Sequence, residues 1–220
     1  MEKRGIILGS YDTAAHGWTL TAWNLSAAQR KENLVDKPGG NGHWDLSTVL
    51  TDGEPVYEAR TLTATLECSE GDRLTREAEI DAMVNQLDGW TLPIVLPDRP
   101  QQYLTGVVHV ERLYNDPAHA AVALTVNCDP WRYSSAEKVT SLTASSTAKT
   151  ATLTNAGRLS VVPLLEITTT STVNLTFGTV TWALSAGSYK LPDFRLTQGA
   201  HKLEYKGAGT VKITFREAVL

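Results

Sequence analysis

Hydrophobic and polar residues alternate along most of the chain, and this two-residue period is typical of half-buried β-strands. The clearest example is residues 122–128, VALTVNC, in which the even-numbered positions are apolar and Thr125 and Asn127 are polar. Asp129-Pro130 follows directly. Proline has no amide hydrogen to donate to a neighbouring strand, and it restricts the residue before it. The pattern therefore predicts a strand that ends at Cys128.

One segment, residues 70–90, has the period of a helix instead. Thr75 is the predicted N-cap, and Gly89 is the predicted stop, because glycine readily adopts the backbone conformation that ends a helix. The apolar stripe of this helix consists of Ile80, Met83, Val84 and Leu87. We expect that stripe to face a hydrophobic core.

Composition changes beyond Pro130, where a segment rich in Ser, Thr and Ala is followed by strand-like runs only. Strands around one helix in the first half favour an α+β domain, and short strands with glycine-containing turns favour a β-sandwich in the second. The predicted fold is mainly β. It has an N-terminal domain over 1–134, with one helix packed on antiparallel strands, a hinge over 135–148 and a C-terminal sandwich over 149–220.

Charge is distributed unevenly between the two halves. Residues 1–135 contain 11 Lys and Arg against 19 Asp and Glu, and residues 136–220 contain 9 against 5. An acidic first half and dispersed cations in the second half argue against specific nucleic-acid binding. No apolar run approaches the roughly 20 residues that cross a bilayer, and the first residues lack a signal-peptide core, so we expect synthesis in the cytoplasm and no membrane association.

Residue patterns for catalysis or metal binding are not found in the sequence. The two cysteines, Cys68 and Cys128, lie on apolar sides of strands and are expected to be buried free thiols. HWD (43–45) and HVE (109–111) place a histidine two residues from a carboxylate, but neither has a third partner in sequence. The glycine-rich PGGNG (38–42) lacks the order of a phosphate-binding loop. We therefore expect no catalytic residue, no metal and no cofactor.

Six tryptophans leave a binding function open. They are Trp18, Trp23, Trp44, Trp90, Trp131 and Trp182. Tryptophan is large and amphipathic, so core or interface positions are the favoured interpretation, and stacking on sugars is the alternative.

Several motifs, taken in order, resemble the distal tail proteins (Dit), which join the tail tube of long-tailed phages to the tip or baseplate. In the first half they are PGGNGHWDLS (38–47), PVYEARTLTATLE (55–67), LDGW (87–90), YLTGVVHVE (103–111) and NCDPWRYS (127–134). In the second half they are LTNAG (153–157), Pro163 and LPDFRLTQGAHKLEYKGAGTVKITFR (191–216). Two segments depart from the family pattern, the Gly-Gly-Asn-Gly loop and PDRPQQYLTG (97–106).

The resemblance implies a structural protein of the virion, located at the tail tip. Its N-terminal domain would form a hexameric ring, and its galectin-like C-terminal domain would decorate that ring. The implied partners are the tail tube protein, a tail-associated lysin or tip protein, and receptor-binding or baseplate proteins. The candidate subunit-interface residues are Pro38, Gly39, Gly40, Gly42, Tyr57 and Arg60. The alternative function is a carbohydrate-binding adhesin that recognises the host envelope, and a hydrolase is the third hypothesis.

Overall fold

A computed structural model describes residues 4–51 and 53–220. The chain divides into two compact units, Met1–Arg132 and Tyr133–Leu220. Strands predominate in both units, and α1 (Arg73–Leu87) is the one α-helix among the described residues. The structure therefore has the mainly β fold that the sequence predicts.

The first unit is built on an antiparallel sheet. Its strands are β1 (Ile7–Leu8), β2 (Tyr11–Asp12), β3 (Thr19–Leu25), β4 (Leu34–Asp36), β5 (His43–Asp45), β6 (Arg60–Cys68), β7 (Thr91–Val95), β8 (Gln102–Asn115) and β9 (Ala120–Cys128). The main path of the sheet runs β2-β1-β7-β8-β9-β6-β3, and β4 and β5 form a separate two-stranded hairpin. Contacts with β8 and β9 place the helix against the middle of the sheet.

The alternation of the sequence becomes the core of this unit. In β6, Leu62, Ala64, Leu66 and Cys68 are buried, and they pair in register with β9, where the predicted strand does end at Cys128. Both cysteines are buried free thiols, as expected. Burial raises the pKa of the Cys128 thiol to about 11.

The predicted apolar stripe of the helix packs against this core. Ile80, Met83 and Leu87 are buried, and Val84 is partly buried beside them. The predicted N-cap was wrong: the helix begins one turn earlier, and the Asp72 side chain accepts a hydrogen bond from the Thr75 amide at 2.7 Å. Asp72 is the better cap because its carboxylate reaches the free amides of the first turn and carries charge toward the positive end of the helix dipole.

The second unit contains two four-stranded antiparallel sheets. Its strands are β10 (Arg132–Ser134), which begins at the boundary, β11 (Lys138–Ala144), β12 (Lys149–Asn155), β13 (Leu164–Thr168), β14 (Val173–Phe177), β15 (Val180–Leu184), β16 (Gly187–Tyr189), β17 (Gly199–Gly207), β18 (Gly209–Phe215) and β19 (Ala218–Val219). One sheet has the order β11-β18-β13-β16 and the other β12-β17-β14-β15, while β10 pairs with β19. Both sheets contribute to one core, including Leu165, Val211, Leu175 and Leu203.

The segment predicted as a hinge has a different structure. Residues 135–148 contain β11, which pairs with β18 along its whole length, from Lys138 opposite Phe215 to Ala144 opposite Gly209. Leu142 and Ala144 enter the core of the second unit. Serine and threonine suggested a linker, but their alternation with buried Leu142 and Ala144 is the strand pattern, and a neighbouring strand satisfies the backbone.

Candidate functional site

Residues 26–59 form an extended excursion between β3 and β6, which we call the arm. At its base the Ser26 amide donates to the Thr61 carbonyl at 2.9 Å, and the Thr61 amide donates to the Ser26 hydroxyl at 2.8 Å. Farther out, the Lys31 amide donates to the Val56 carbonyl at 2.8 Å. The arm is thus two antiparallel chain segments held by backbone hydrogen bonds, with the β4-β5 hairpin inside it.

PGGNG is the turn of that hairpin. The Lys37 amide donates to the Gly42 carbonyl at 3.2 Å, and the Gly40 amide donates to the Lys37 carbonyl at 3.1 Å. Gly39 and Gly42 have φ of 70° and 76°, which side chains disfavour and glycine adopts freely. The glycine sequence therefore closes a defined turn.

Polar contacts fix the hairpin to the segment that precedes it. Arg30 donates to the Asp45 carboxylate at 3.0 Å, and the Ser47 amide donates to the same carboxylate at 2.9 Å. The hydrogen bonds from Ser47, with a further contribution from Arg30, lower the pKa of Asp45 below its ordinary value. The arm thus has a definite conformation without a core of its own.

Apolar side chains on the arm face solvent. No described residue between 27 and 59 is buried. Seven large apolar residues of the arm are exposed, namely Leu34, Val35, Trp44, Leu46, Val49, Leu50 and Val56. Leu50 is 96% exposed. Covering one such leucine or valine is worth roughly 1.5–3 kcal/mol, and several exposed apolar side chains in one segment are typical of a surface that binds another molecule.

The predicted interface residues fall into two groups on this arm. Pro38, Gly39, Gly40 and Gly42 form the turn of the hairpin. Tyr57 and Arg60 lie at the base, where the Tyr57 ring meets Trp131 edge-on with ring centroids 5.5 Å apart. Arg60 is buried, with 8% of its surface exposed. Their interface role stays a prediction, since the structure contains one chain.

Apart from Trp44, the exposed apolar residues of the arm were not singled out in the sequence. Leu34 and Val35 precede the glycine turn, and Trp44 follows it. The available signal was a short hairpin pattern around PGGNG, with Leu34 and Val35 before the turn and Trp44 after it. Burial depends on which distant segments cover a strand, so the sequence alone did not separate these residues from core residues.

The histidines noted in the sequence contact single carboxylates other than those beside them in sequence. His43 lies 3.8 Å from Asp36, and His109 lies 3.7 Å from Asp88. Within residues 4–51 and 53–220, no group of three or more His, Cys, Asp or Glu residues has the arrangement of a metal site.

An open depression on the second unit is the place where a sugar would be sought. It has a volume of about 520 Å³ and is lined by Thr176, Phe177, Gly178, Ala200, His201, Lys202 and Glu204. Trp182 is not among its lining residues and lies beside Phe194, with ring centroids 6.2 Å apart. Among the lining residues, only Phe177 and His201 have aromatic rings. The Phe177 ring packs edge-on against Phe194, with ring centroids 4.7 Å apart. The depression thus lacks the exposed indole platform that suggested sugar stacking.

Tryptophans differ widely in exposure. Trp18 is fully buried, whereas Trp44 and Trp90 are 51% and 62% exposed. Trp18 is thus a core residue, whereas Trp44 and Trp90 are surface residues, and a role of tryptophan in an interface stays a prediction.

In the part of the chain that the structure describes, none of the helices is long and apolar enough to span a membrane.

Comparison with known proteins gives a match in structure and none in sequence. No family model matches the chain, and no curated protein matches it. Among solved structures, the chain is similar to the Dit protein (gp 19.1) of phage SPP1, described as a paradigm of the hub adsorption apparatus in phages that infect Gram-positive bacteria. The TM-score is 0.69 at 14% sequence identity, over 96% of this chain and 98% of that chain. The resemblance to distal tail proteins is therefore confirmed at the level of the fold, which this chain shares with SPP1 Dit along almost its whole length.

Proposed function

We propose that this protein is a structural component of a phage tail whose copies assemble into a ring at the tail tip. The exposed apolar arm carries this proposal, because a folded chain gains free energy when such a surface is covered by another molecule. A head-to-tail contact between an arm and the next copy closes into a ring when the rotation between copies is suitable. The fold shared with SPP1 Dit supports the tail as the setting.

In this proposal the ring is hexameric and joins the tail tube to the tip or baseplate. The first unit supplies the contacts between subunits, and the second unit carries further tail proteins, such as a tip protein or lysin and receptor-binding or baseplate proteins. The protein would be made in the bacterial host and incorporated into the virion. It acts as a hub and catalyses no reaction.

Negative-stain electron microscopy of the purified protein tests the proposal. We expect annular particles with six-fold symmetry, and a mass six times that of the chain in light scattering. The matched control replaces residues 34–45 by a short Gly-Ser turn, which removes the hairpin and no buried residue. This variant is expected to remain folded and monomeric. A wild-type protein that stays monomeric at all concentrations would contradict the proposal.

A glycan array distinguishes the hub from a carbohydrate-binding adhesin. The hub does not require binding to any sugar, whereas the adhesin must bind one. Specific binding by the wild type that is lost in Glu204→Gln, within the depression of the second unit, would support the adhesin instead.

A further inference from the structure

The turn of the arm contains the only Asn-Gly sequence in the chain, Asn41-Gly42. The backbone nitrogen of the next residue can attack an asparagine side chain, and glycine hinders this attack least because it has no Cβ. Asparagine is for this reason counted among the thermally labile residues of proteins. Whether an Asn-Gly sequence reacts in a folded protein depends on how firmly the fold holds the two reacting groups.

The fold holds neither reacting group of this pair. Asn41 and Gly42 are exposed and lie between the two strands of the hairpin. Among the described residues, neither the Asn41 side chain nor the Gly42 amide has a hydrogen-bond partner. A Cβ atom at Gly42 would meet no atom within 4 Å, so open space adjoins this residue. The Asn41 side chain is therefore free to bring its Cγ atom to the Gly42 nitrogen.

The end of the helix shows how the fold restrains a pair of the same kind. Asp88-Gly89 could close the same ring, because an aspartate before glycine reacts in this way with loss of water. The Gly89 amide, however, donates to the Val108 carbonyl at 2.8 Å, and the Asp88 carboxylate accepts from the Val110 amide at 2.9 Å. Ring closure at Asp88 would break both hydrogen bonds, whereas ring closure at Asn41 breaks none that involves the reacting groups.

We propose that Asn41 is a site of spontaneous deamidation in the folded chain. The Gly42 nitrogen attacks Cγ of Asn41, and a new C–N bond forms between them. The Cγ–Nδ2 bond breaks, and the proton given up by the Gly42 nitrogen accounts for the third hydrogen of the ammonia that leaves. The five-membered succinimide that remains is opened by water at either carbonyl. The products are aspartate or isoaspartate at position 41, and no atom is oxidised or reduced.

Both products change the turn of the arm. Each replaces a neutral amide by a carboxyl group, which is ionised at neutral pH. Isoaspartate also adds one methylene group to the main chain between positions 41 and 42. The closed turn depends on the hydrogen bond from the Lys37 amide to the Gly42 carbonyl at 3.2 Å, and a longer main chain disturbs it. A negative charge and an altered turn thus arise on the arm without any enzyme.

The effect of this modification on assembly rests on the proposed ring, in which the turn approaches a neighbouring copy. Inside the ring the turn would be covered, and the reaction would be slow. A chain that reacts before assembly carries an additional charge into the subunit contact, where it must be desolvated. Deamidation would therefore reduce the ability of the unassembled protein to form rings as it ages.

Peptide mapping by mass spectrometry tests the site itself. Folded protein is incubated at mildly alkaline pH, at a concentration at which sedimentation shows single chains, beside protein unfolded in guanidinium chloride. Leu50→Glu, at a 96% exposed position of the arm, supplies single chains if the wild type does not dissociate. We expect Asn41 to react in the folded chain within about threefold of its rate in the unfolded chain, and Asp88 to isomerise only when unfolded. Electron-transfer fragmentation identifies isoaspartate at position 41, and an intact Asn41 in the folded single chain would overturn the proposal.

Sedimentation of aged protein tests the effect on assembly. Asn41→Gln is the matched control, because the longer side chain would have to close a less favourable six-membered ring. Ageing as single chains should weaken the self-association of the wild type roughly tenfold once most chains have reacted, and should leave that of Asn41→Gln at its starting value. Complete reaction at Asn41 with unchanged self-association would overturn the effect on assembly. A wild type that never self-associates would contradict the proposed ring, while mass spectrometry would still decide the deamidation site.

Discussion

Apolar residues of β-strands are exposed in the arm and buried in the second unit. In the second unit, Leu165, Val173 and Ile213 alternate with polar residues and are buried between two sheets. In the arm, Leu34 and Trp44 stand on paired strands and remain exposed because no second layer covers them. Alternation gives a strand one apolar face and one polar face. The apolar face becomes part of a core only when a second layer of structure covers it.

We therefore expect substitutions in the second unit to affect mainly stability, and substitutions in the arm to affect mainly binding. Apolar residues of the second unit contribute to its free energy of unfolding. Those of the arm contribute little to folding and are available to the free energy of association.

The largest expected effect is the loss of folding when β11 is removed. A fragment of residues 133–220 should fold as a monomer, because it contains both sheets and their core. A fragment of residues 149–220, which is the sandwich domain predicted from the sequence, lacks Leu142 and Ala144 and leaves β18 without its neighbour. We expect dispersed amide signals and a cooperative melt only for 133–220.

Replacing residues 34–45 in the full-length chain by the short Gly-Ser turn tests the arm in the same way. We expect this variant to stay folded. It removes a similar length of strand, yet the melting temperature should change little. A well-folded 149–220 fragment, or a large loss of stability in the arm variant, would contradict the comparison.

Single leucine substitutions in the two regions should differ by a few kcal/mol in their effect on the free energy of unfolding. Leu165→Ala removes a fully buried side chain and should lower the free energy of unfolding by about 2–5 kcal/mol. Leu50→Ala removes a side chain that is 96% exposed and should change it by less than about 0.5 kcal/mol. Denaturant unfolding of dilute protein measures both, and similar losses would show that the arm belongs to a core.

Gly40→Val should weaken assembly more than folding. A Cβ at Gly40 would meet only the Lys37 side chain, at 3.5 Å, which is an ordinary contact. The single chain therefore tolerates valine, but a neighbouring subunit that approaches this turn closely would not. We expect self-association about tenfold weaker in sedimentation and an unchanged melt for the dilute protein. Thr150→Val, at an exposed position of the second unit, is the control, and equal losses of assembly and stability in Gly40→Val would count against the prediction.

The smallest effect concerns the conformation of the arm at low pH. The folded pKa of Asp45 is depressed below its ordinary value of 3.8, so its contribution is complete above that value and is lost as pH falls through the folded pKa. Asp45→Asn should therefore speed hydrogen exchange of the Leu46 and Ser47 amides at pH 6, and the difference from wild type should vanish at low pH. Asp36→Asn, at a fully exposed carboxylate, should have no such effect. A difference that persists at low pH would show that ionised Asp45 does not hold the arm.

Much of the fold follows from local patterns. The helix stripe, the buried positions of β6 and the end of β9 at Cys128 were predicted because each depends on a few neighbouring residues and their period. The N-cap was misplaced by one turn because Asp72 and Thr75 are both good caps, and only the geometry distinguishes them. Of the site, the sequence indicated the glycine turn, Tyr57 and Arg60, but not what surrounds them.

The amino-acid sequence by itself determined which positions can face a core and where strands and the helix stop, since these depend on residue type and spacing. The tertiary structure decided which of those faces are covered. It placed β11 in the sandwich through its pairing with β18, some 70 residues away, and it left the apolar arm without a covering layer. Burial is a sum over residues distant in sequence, so only the folded chain sets it.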